Sequence, residues 1–389
     1  MDRETIRKKY PLSDEQKLLL SQKYYETDLT IKQILKDFGL KGLNSSQITY
    51  LFDNIETNIK CEYCKVIMEQ EPPTRTDGNK DTFCPQCKHI LYRSSYRQCC
   101  CENCQKKKQI EKEKKEQQTK NAIYNLLNRD HDKTAYNAED LTSWDKLLLG
   151  SLITFAMDEE LKYIQPLEDC ERCFFPGRDK SIEIIEKLYD DGLIILGNRY
   201  RTSSFTFDEK NNVSFYLNKV FYEVWVDDSD ICKKLLNPNQ FLNDDQILSF
   251  WRDFNKGEAI FYLLSEFENL RIKSFSPGKK TEELFAAMAE KLSLSQIFRM
   301  IRYITDKTAK EVMTGDKYYQ HIANSTITRL ESHFYRALHE NYSLYNVKYE
   351  NDLSMVTTYF YNKILNMGDS AFYSVPNIAM EKYIILREN

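Results

Sequence analysis

Eight of the eleven cysteines in this 389-residue chain fall between Cys61 and Cys104. Six of them form three Cys-x-x-Cys pairs, Cys61/Cys64, Cys84/Cys87 and Cys101/Cys104. Such a turn sets two thiolates on one side of a tight loop. Two turns brought together close a tetrahedral site suited to Zn²⁺, with sulfur about 2.3 Å from the metal. Three copies in so short a stretch point to structural metal rather than a redox pair, which needs no repetition. The spacing leaves the pairing open. Cys61/Cys64 with Cys84/Cys87 makes a ribbon whose loop carries Pro72, Pro73 and the turn Asp77-Gly78-Asn79. Cys84/Cys87 with Cys101/Cys104 instead flanks Ile90 to Arg97, where Tyr92, Arg93, Tyr96 and Arg97 fit a short hairpin. Six thiolates exceed one site, and His89, Cys99 or Cys100 would complete a second, so one or two zinc ions are expected.

No comparable catalytic signature accompanies these thiols. The chain has no H-E-x-x-H, no G-x-x-x-x-G-K-[ST], no G-x-S-x-G and no G-x-G-x-x-G, which removes support for zinc proteases, P-loop enzymes, common hydrolases and dinucleotide enzymes. Of the five histidines, His89 lies in the cysteine segment, while His333 and His339 are six apart and do not share a helix face. Asp227, Asp228, Asp230, Asp244 and Asp245 are carboxylates of the kind that hold Mg²⁺ in nucleases, but their spacing is equally that of a solvated surface. No catalytic residue is assigned.

The motif C-P-x-C-x-H, from Cys84 to His89, followed by an aromatic/Arg stretch and a further Cys-x-x-Cys, resembles the zinc ribbons of transposases and transcription factors. Ahead of it, Asp14 to Phe52 has the punctuation of a helix-turn-helix. A first helix from Asp14 to Glu26 is expected to bury Leu18, Leu19 and Tyr25. A second, capped by Thr30 with Gln33, buries Ile31, Ile34, Leu35 and Phe38 and stops at Gly39. A third starts at Asn44 with Ile48 and Leu51 inward. "TIKQILKDFGL" resembles the pattern at the start of many transposases and bacterial regulators, with Leu35 where a small residue is usual. That resemblance implies duplex DNA as partner, read by Ser45, Ser46, Gln47, Thr49 and Tyr50, with Lys41, Arg93 and Arg97 near the phosphates.

Charge and composition set bounds on these readings. The net charge is −4. Residues 1–120 carry 23 basic and 18 acidic side chains, while residues 121–389 carry 32 and 41. The positive excess therefore sits with the cysteines, and the acidic remainder favours a protein partner or self-association. No apolar run reaches the roughly 20 residues of a membrane span. The N-terminal segment has no apolar core of a secretory signal, so a reducing cytoplasm, and metal rather than disulfides, is expected. Many Lys, Ile, Tyr and Asn with few Gly suggest an AT-rich, bacterial source.

The sequence divides into a helix-turn-helix over 1–58, a zinc-ribbon region over 59–105, a charged linker over 106–120, a winged-helix-like α+β unit over 121–235 and a helical bundle over 236–389. The winged-helix reading rests on helices at Trp144–Met157 and Lys180–Asp191, then a hairpin at Phe205–Phe207 that turns at Asn211-Asn212. Cys170 and Cys173 form a fourth Cys-x-x-Cys without a local partner pair, and are expected to be ordinary thiols. The fold class expected is mainly α and multidomain. The function expected is zinc-dependent DNA binding in a regulator or a mobile-element or phage-defence component. A protein-binding adaptor, or a nuclease-type effector, is the alternative.

Overall fold

The structure, a computed structural model, describes residues 2–76, 80–208, 212–272, 275–314, 319–340, 344–348 and 352–381. It is mainly helical, with one four-stranded and two two-stranded antiparallel sheets. Its contacts divide the chain into two units, Met1–Thr119 and Lys120–Asn389. The turn at Asp77-Gly78-Asn79, and Asn211 of the expected 211–212 turn, lie outside the described residues.

The first unit opens with three short helices, α1 (Arg3–Lys9), α2 (Asp14–Glu26) and α3 (Ile31–Asp37), then a 3-10 segment, Ser45–Leu51. Capping boxes Ser13/Gln16 and Thr30/Gln33 start α2 and α3, each satisfying otherwise orphaned backbone donors. Gly39, at φ +67°, takes the left-handed conformation that ends α3. Ile6, Leu20, Tyr24, Ile34, Leu35, Ile48, Leu51 and Phe52 form the shared core.

Two expectations are corrected here. Helix α2 does not bury Leu18, Leu19 and Tyr25, which are 62%, 50% and 42% exposed. It buries Leu20 and Tyr24 instead. The run Leu18-Leu19-Leu20 offers several helical phases, and the choice is made by partners such as Ile6 on α1, a helix the sequence reading did not include. The third helix is a 3-10 turn. Its C-terminal carbonyls are taken by arginines of α1: Arg7 Nε donates to Tyr50 O at 2.9 Å and Arg3 Nη2 to Phe52 O at 2.6 Å. The chain then leaves directly into a strand.

Four strands follow in sequence order as an antiparallel meander: β1 (Ile55–Lys60), β2 (Ile67–Gln70), β3 (Thr82–Phe83) and β4 (Ile90–Leu91). Ile90 to Arg97 is thus not a hairpin of its own. Ile90 pairs with Phe83 across the Cys84–Cys87 turn. Arg75, between β2 and β3, donates its guanidinium to carbonyls after α2, including Leu29 O at 2.7 Å and Thr27 O at 3.0 Å, and sits 5.0 Å from the Tyr24 ring centroid. It ties the sheet segment to the helical head. The segment 106–120 is helical, part of α4 (Glu102–His131).

In the second unit, residues 121–235 and 236–389 share one buried cluster running from Ile123 to Met380, so no core boundary falls near 235. Its helices are α5 (Ser143–Phe155), α6 (Arg178–Asp190), α7 (Ile231–Leu236), α8 (Asp244–Asn269), α9 (Lys279–Lys291), α10 (Leu294–Thr314), α11 (Tyr319–His339) and the short α12 (Met355–Tyr359). Ile194–Leu196 pairs with Tyr222–Val224, and Phe205–Phe207 with Val213–Phe215. Gly150 of α5 lets Tyr359 approach. A Cβ there would lie 2.3 Å from the Tyr359 hydroxyl, which donates to Leu235 O at 2.6 Å. Among the described residues no helix is long and apolar enough to cross a membrane.

The phase of α2 is testable. Leu20→Ala is expected to cost about 2–5 kcal/mol, as for other buried leucines. Leu18→Ala should stay within about 0.5 kcal/mol. Urea denaturation of the full chain, followed through the transition of the first unit, measures both. Equal effects would place α2 in the other phase.

Candidate metal centres

In an antiparallel meander alternate turns fall at the same end of the sheet. The β1–β2 turn carries Cys61 and Cys64, and the β3–β4 turn carries Cys84 and Cys87. The two turns are built alike. Cys61 N donates to Val66 O at 2.9 Å and Lys65 N to Cys61 O at 3.0 Å, and Cys84 N donates to His89 O at 2.7 Å and Lys88 N to Cys84 O at 2.9 Å. Lys65 and Lys88 both adopt positive φ, 61° and 57°. Each turn therefore points two sulfurs at the other.

The result is two groups of four ligating atoms, each group within 4.8 Å: Cys61, Cys64, Cys84 and Cys87 in one, His89, Cys99, Cys101 and Cys104 in the other. A tetrahedral ion about 2.3 Å from each sulfur puts the sulfurs roughly 3.8 Å apart, and sulfur roughly 3.6 Å from an imidazole nitrogen. The Cys61 and Cys87 sulfurs are 3.6 Å apart, and His89 Nδ1 lies 3.7 Å from Cys101 Sγ and 3.2 Å from Cys104 Sγ. Both groups fit a divalent ion of zinc's size and softness. Of the two possible pairings, the first is the one formed. His89 and Cys99 complete the second group, and Cys100 is exposed outside it.

The surroundings suit this use. His89 is buried, and its Nε2 has no hydrogen-bond partner and lies 3.7 Å from Glu62 Oε1, on the side of the ring away from the thiols. Tyr63 OH lies 3.4 Å from Cys104 Sγ and its ring meets His89 edge-on at 5.1 Å. Cys99 Sγ accepts from Ile90 N at 3.1 Å and Cys101 N at 3.4 Å. The sequence reading passed over Glu62 and Tyr63, whose only signal is their place between Cys61 and Cys64.

Metal-free, the thiols hold their protons unevenly. The hydrogen bond to Cys87, then burial, pushes Cys64 up to about 12, and burial leads the rise of Cys101 to about 11. Burial also acts on Cys84 and Cys99, but backbone N–H donors, from Cys87 and Gln86 and from Cys101 and Ile90 respectively, outweigh it and lower both. Three or four thiolates cannot share such a space without a cation, so an ion bound in either group would replace protons.

The residues expected to touch DNA do not form one set. Lys41, Ser45 and Ser46 are exposed, Gln47 and Tyr50 half-buried. Thr49 is buried at 5% exposure and is corrected: the tighter 3-10 winding turns it into the core beside Ile48. Arg93, Tyr96 and Arg97 lie on an exposed loop, Tyr96 at 97% exposure, that begins at β4 and closes on Cys99. Lys107 and Lys108 turn back toward the site, Lys107 Nζ 3.6 Å from Glu62 Oε2 and Lys108 Nζ donating to Gln98 Oε1 at 2.6 Å. Cys170 and Cys173 join no ligating group among the described residues. No protein family, curated protein or solved structure matches the chain.

Elemental analysis of the purified chain is expected to give two zinc ions, with Cys84→Ser and Cys104→Ser each losing one and Cys100→Ser keeping both. Loss of both ions in Cys100→Ser would break the assignment. Because Cys64 and Cys101 carry protons at neutral pH, zinc uptake should release protons and tighten as pH rises. Titration calorimetry in buffers of different protonation enthalpy reads that release, and buffer-independent heats would contradict it.

Proposed function

We propose that the first unit is a zinc-stabilised module that binds duplex DNA, a helix-turn-helix braced by a zinc ribbon. The observation that carries this reading is the loop from Tyr92 to Gln98. It exposes Arg93, Tyr96 and Arg97, and it is pinned by the second ligand group, with His89 just before its strand and Cys99 at its end. Cations and an aromatic ring held on a rigid, solvent-facing loop are what phosphate contact and base-edge packing require. Lys41, Ser45 and Ser46 on the exposed side of the helical head supply further contacts, and the positive excess of residues 1–120 favours approach to a polyanion. Zinc's part is structural. All four positions of each site are filled by protein, which leaves none for a reacting water. Such a module serves a regulator or a mobile-element or phage-defence component.

Gel-shift titration of the zinc-loaded full chain with duplex DNA tests this. Affinity should fall with salt, and Arg93→Ala/Arg97→Ala should reduce the slope of log K against log salt by about 0.9 per lost phosphate contact. Chelation of zinc should weaken the shift and remove the contribution of Arg93 and Arg97 to the salt slope. A variant that binds with unchanged affinity and slope would overturn the reading.

A further inference from the structure

The second unit carries 41 acidic against 32 basic side chains over residues 121–389, yet one face of its α10/α11 pair is positive. On α10, Arg299, Tyr303 and Lys307 recur every fourth residue, so they share a face. Helix α11 packs alongside in the opposite direction. Tyr303 stacks on His333 with ring centroids 5.0 Å apart, and the buried hydroxyls of Thr308 and Thr326 meet at 2.9 Å. This register brings Arg336, one turn past His333, toward the Arg299 end. Arg336 Nη2 lies 3.3 Å from His333 Nδ1, and Lys307 Nζ lies 4.2 Å from the Tyr303 ring centroid.

Among the described residues Arg299, Lys307 and Arg336 form no ion pair, although their side chains are exposed and the unit is rich in carboxylates. Two neighbouring groups register the resulting field. Lys307 first, then Arg336 and Arg299, lower the Tyr303 phenol, and burial followed by Arg336 and Lys307 lowers the His333 imidazole. Like charges brought onto one face cost stability, and an anionic ligand offsets that cost.

The shape selects among anions. From Arg299 to Lys307 the face extends about 12 Å along the helix, which spans several successive phosphates of a strand rising about 3.4 Å per nucleotide. Lys307 and His333 both pack on the Tyr303 ring, which engages that ring within the fold rather than with a base. We infer that Arg299, Lys307 and Arg336, set around Tyr303 and His333, form a sequence-independent binding face for a nucleic-acid phosphate backbone. This site lies in the second unit and does not rest on the role proposed for the first.

The test uses the zinc-loaded full chain and DNA of mixed sequence. Arg299→Gln/Lys307→Gln/Arg336→Gln should weaken binding about tenfold or more at moderate salt and lower the salt slope by about two to three. In the unsubstituted protein, DNA should protect the Lys307 amine from acylation, read by mass spectrometry. Unchanged affinity and slope in a folded variant, an unprotected Lys307, or binding of anionic vesicles without binding of DNA overturns the inference. The two proposals fail separately: loss of binding only in Arg93→Ala/Arg97→Ala removes this one, and loss only in the α10/α11 variant removes the other.

Discussion

Gathering four ligand atoms within 4.8 Å, three or four of them thiols, is electrostatically untenable unless protons or a cation neutralise them. The sheet end of the first unit is organised around that constraint. Its buried apolar cluster amounts to Cys61, Met68 and Cys84 with Tyr63, Cys64 and Cys87 packed on it, too little to hold four short strands by hydrophobic burial. Both ligand groups are compatible with an ion such as zinc, whose coordination would take the place of the missing core and tie folding there to thiol ionisation.

Consequences run outward from the two ligand groups. The first joins two hairpins that otherwise share a single two-residue ladder between β2 and β3. The second reaches from His89, at the start of β4, to Cys101 and Cys104, at the start of α4, so it fixes where that long and largely solvated helix begins. The chain between, Leu91 to Gln98, is held at both ends and keeps its arginines and Tyr96 outside. A polar loop with no core of its own is thus anchored at its base by the gathered ligand groups.

The second unit is stabilised differently. One apolar cluster spans its helices, and two buried carboxylates of the unit are met by specific donors. Asp130 accepts from Leu196 N at 2.7 Å and from Tyr189 OH at 3.0 Å, and Glu258 accepts from Ser354 N at 2.9 Å. Burial raises Glu258, opposed by those donors. On its surface, Arg299, Lys307 and Arg336 form no ion pair among the described residues.

What the sequence alone determined was local. Cys-x-x-Cys spacing dictates a turn, and Thr30/Gln33 dictates where α3 begins, because each depends on neighbours a few residues away. The six Cys-x-x-Cys thiols that the fold gathers into two groups were legible for the same reason. Tertiary structure decided whatever depends on distant partners. It chose which thiol pairs meet, since the meander returns alternate turns to one end. It recruited His89 and Cys99 and left Cys100 out, it rotated α2 so that Leu20 rather than Leu18 faces Ile6, and it turned Thr49 inward when arginines of α1 claimed the carbonyls that follow. It also merged 121–235 with 236–389, because an apolar face has no address in sequence until another face covers it.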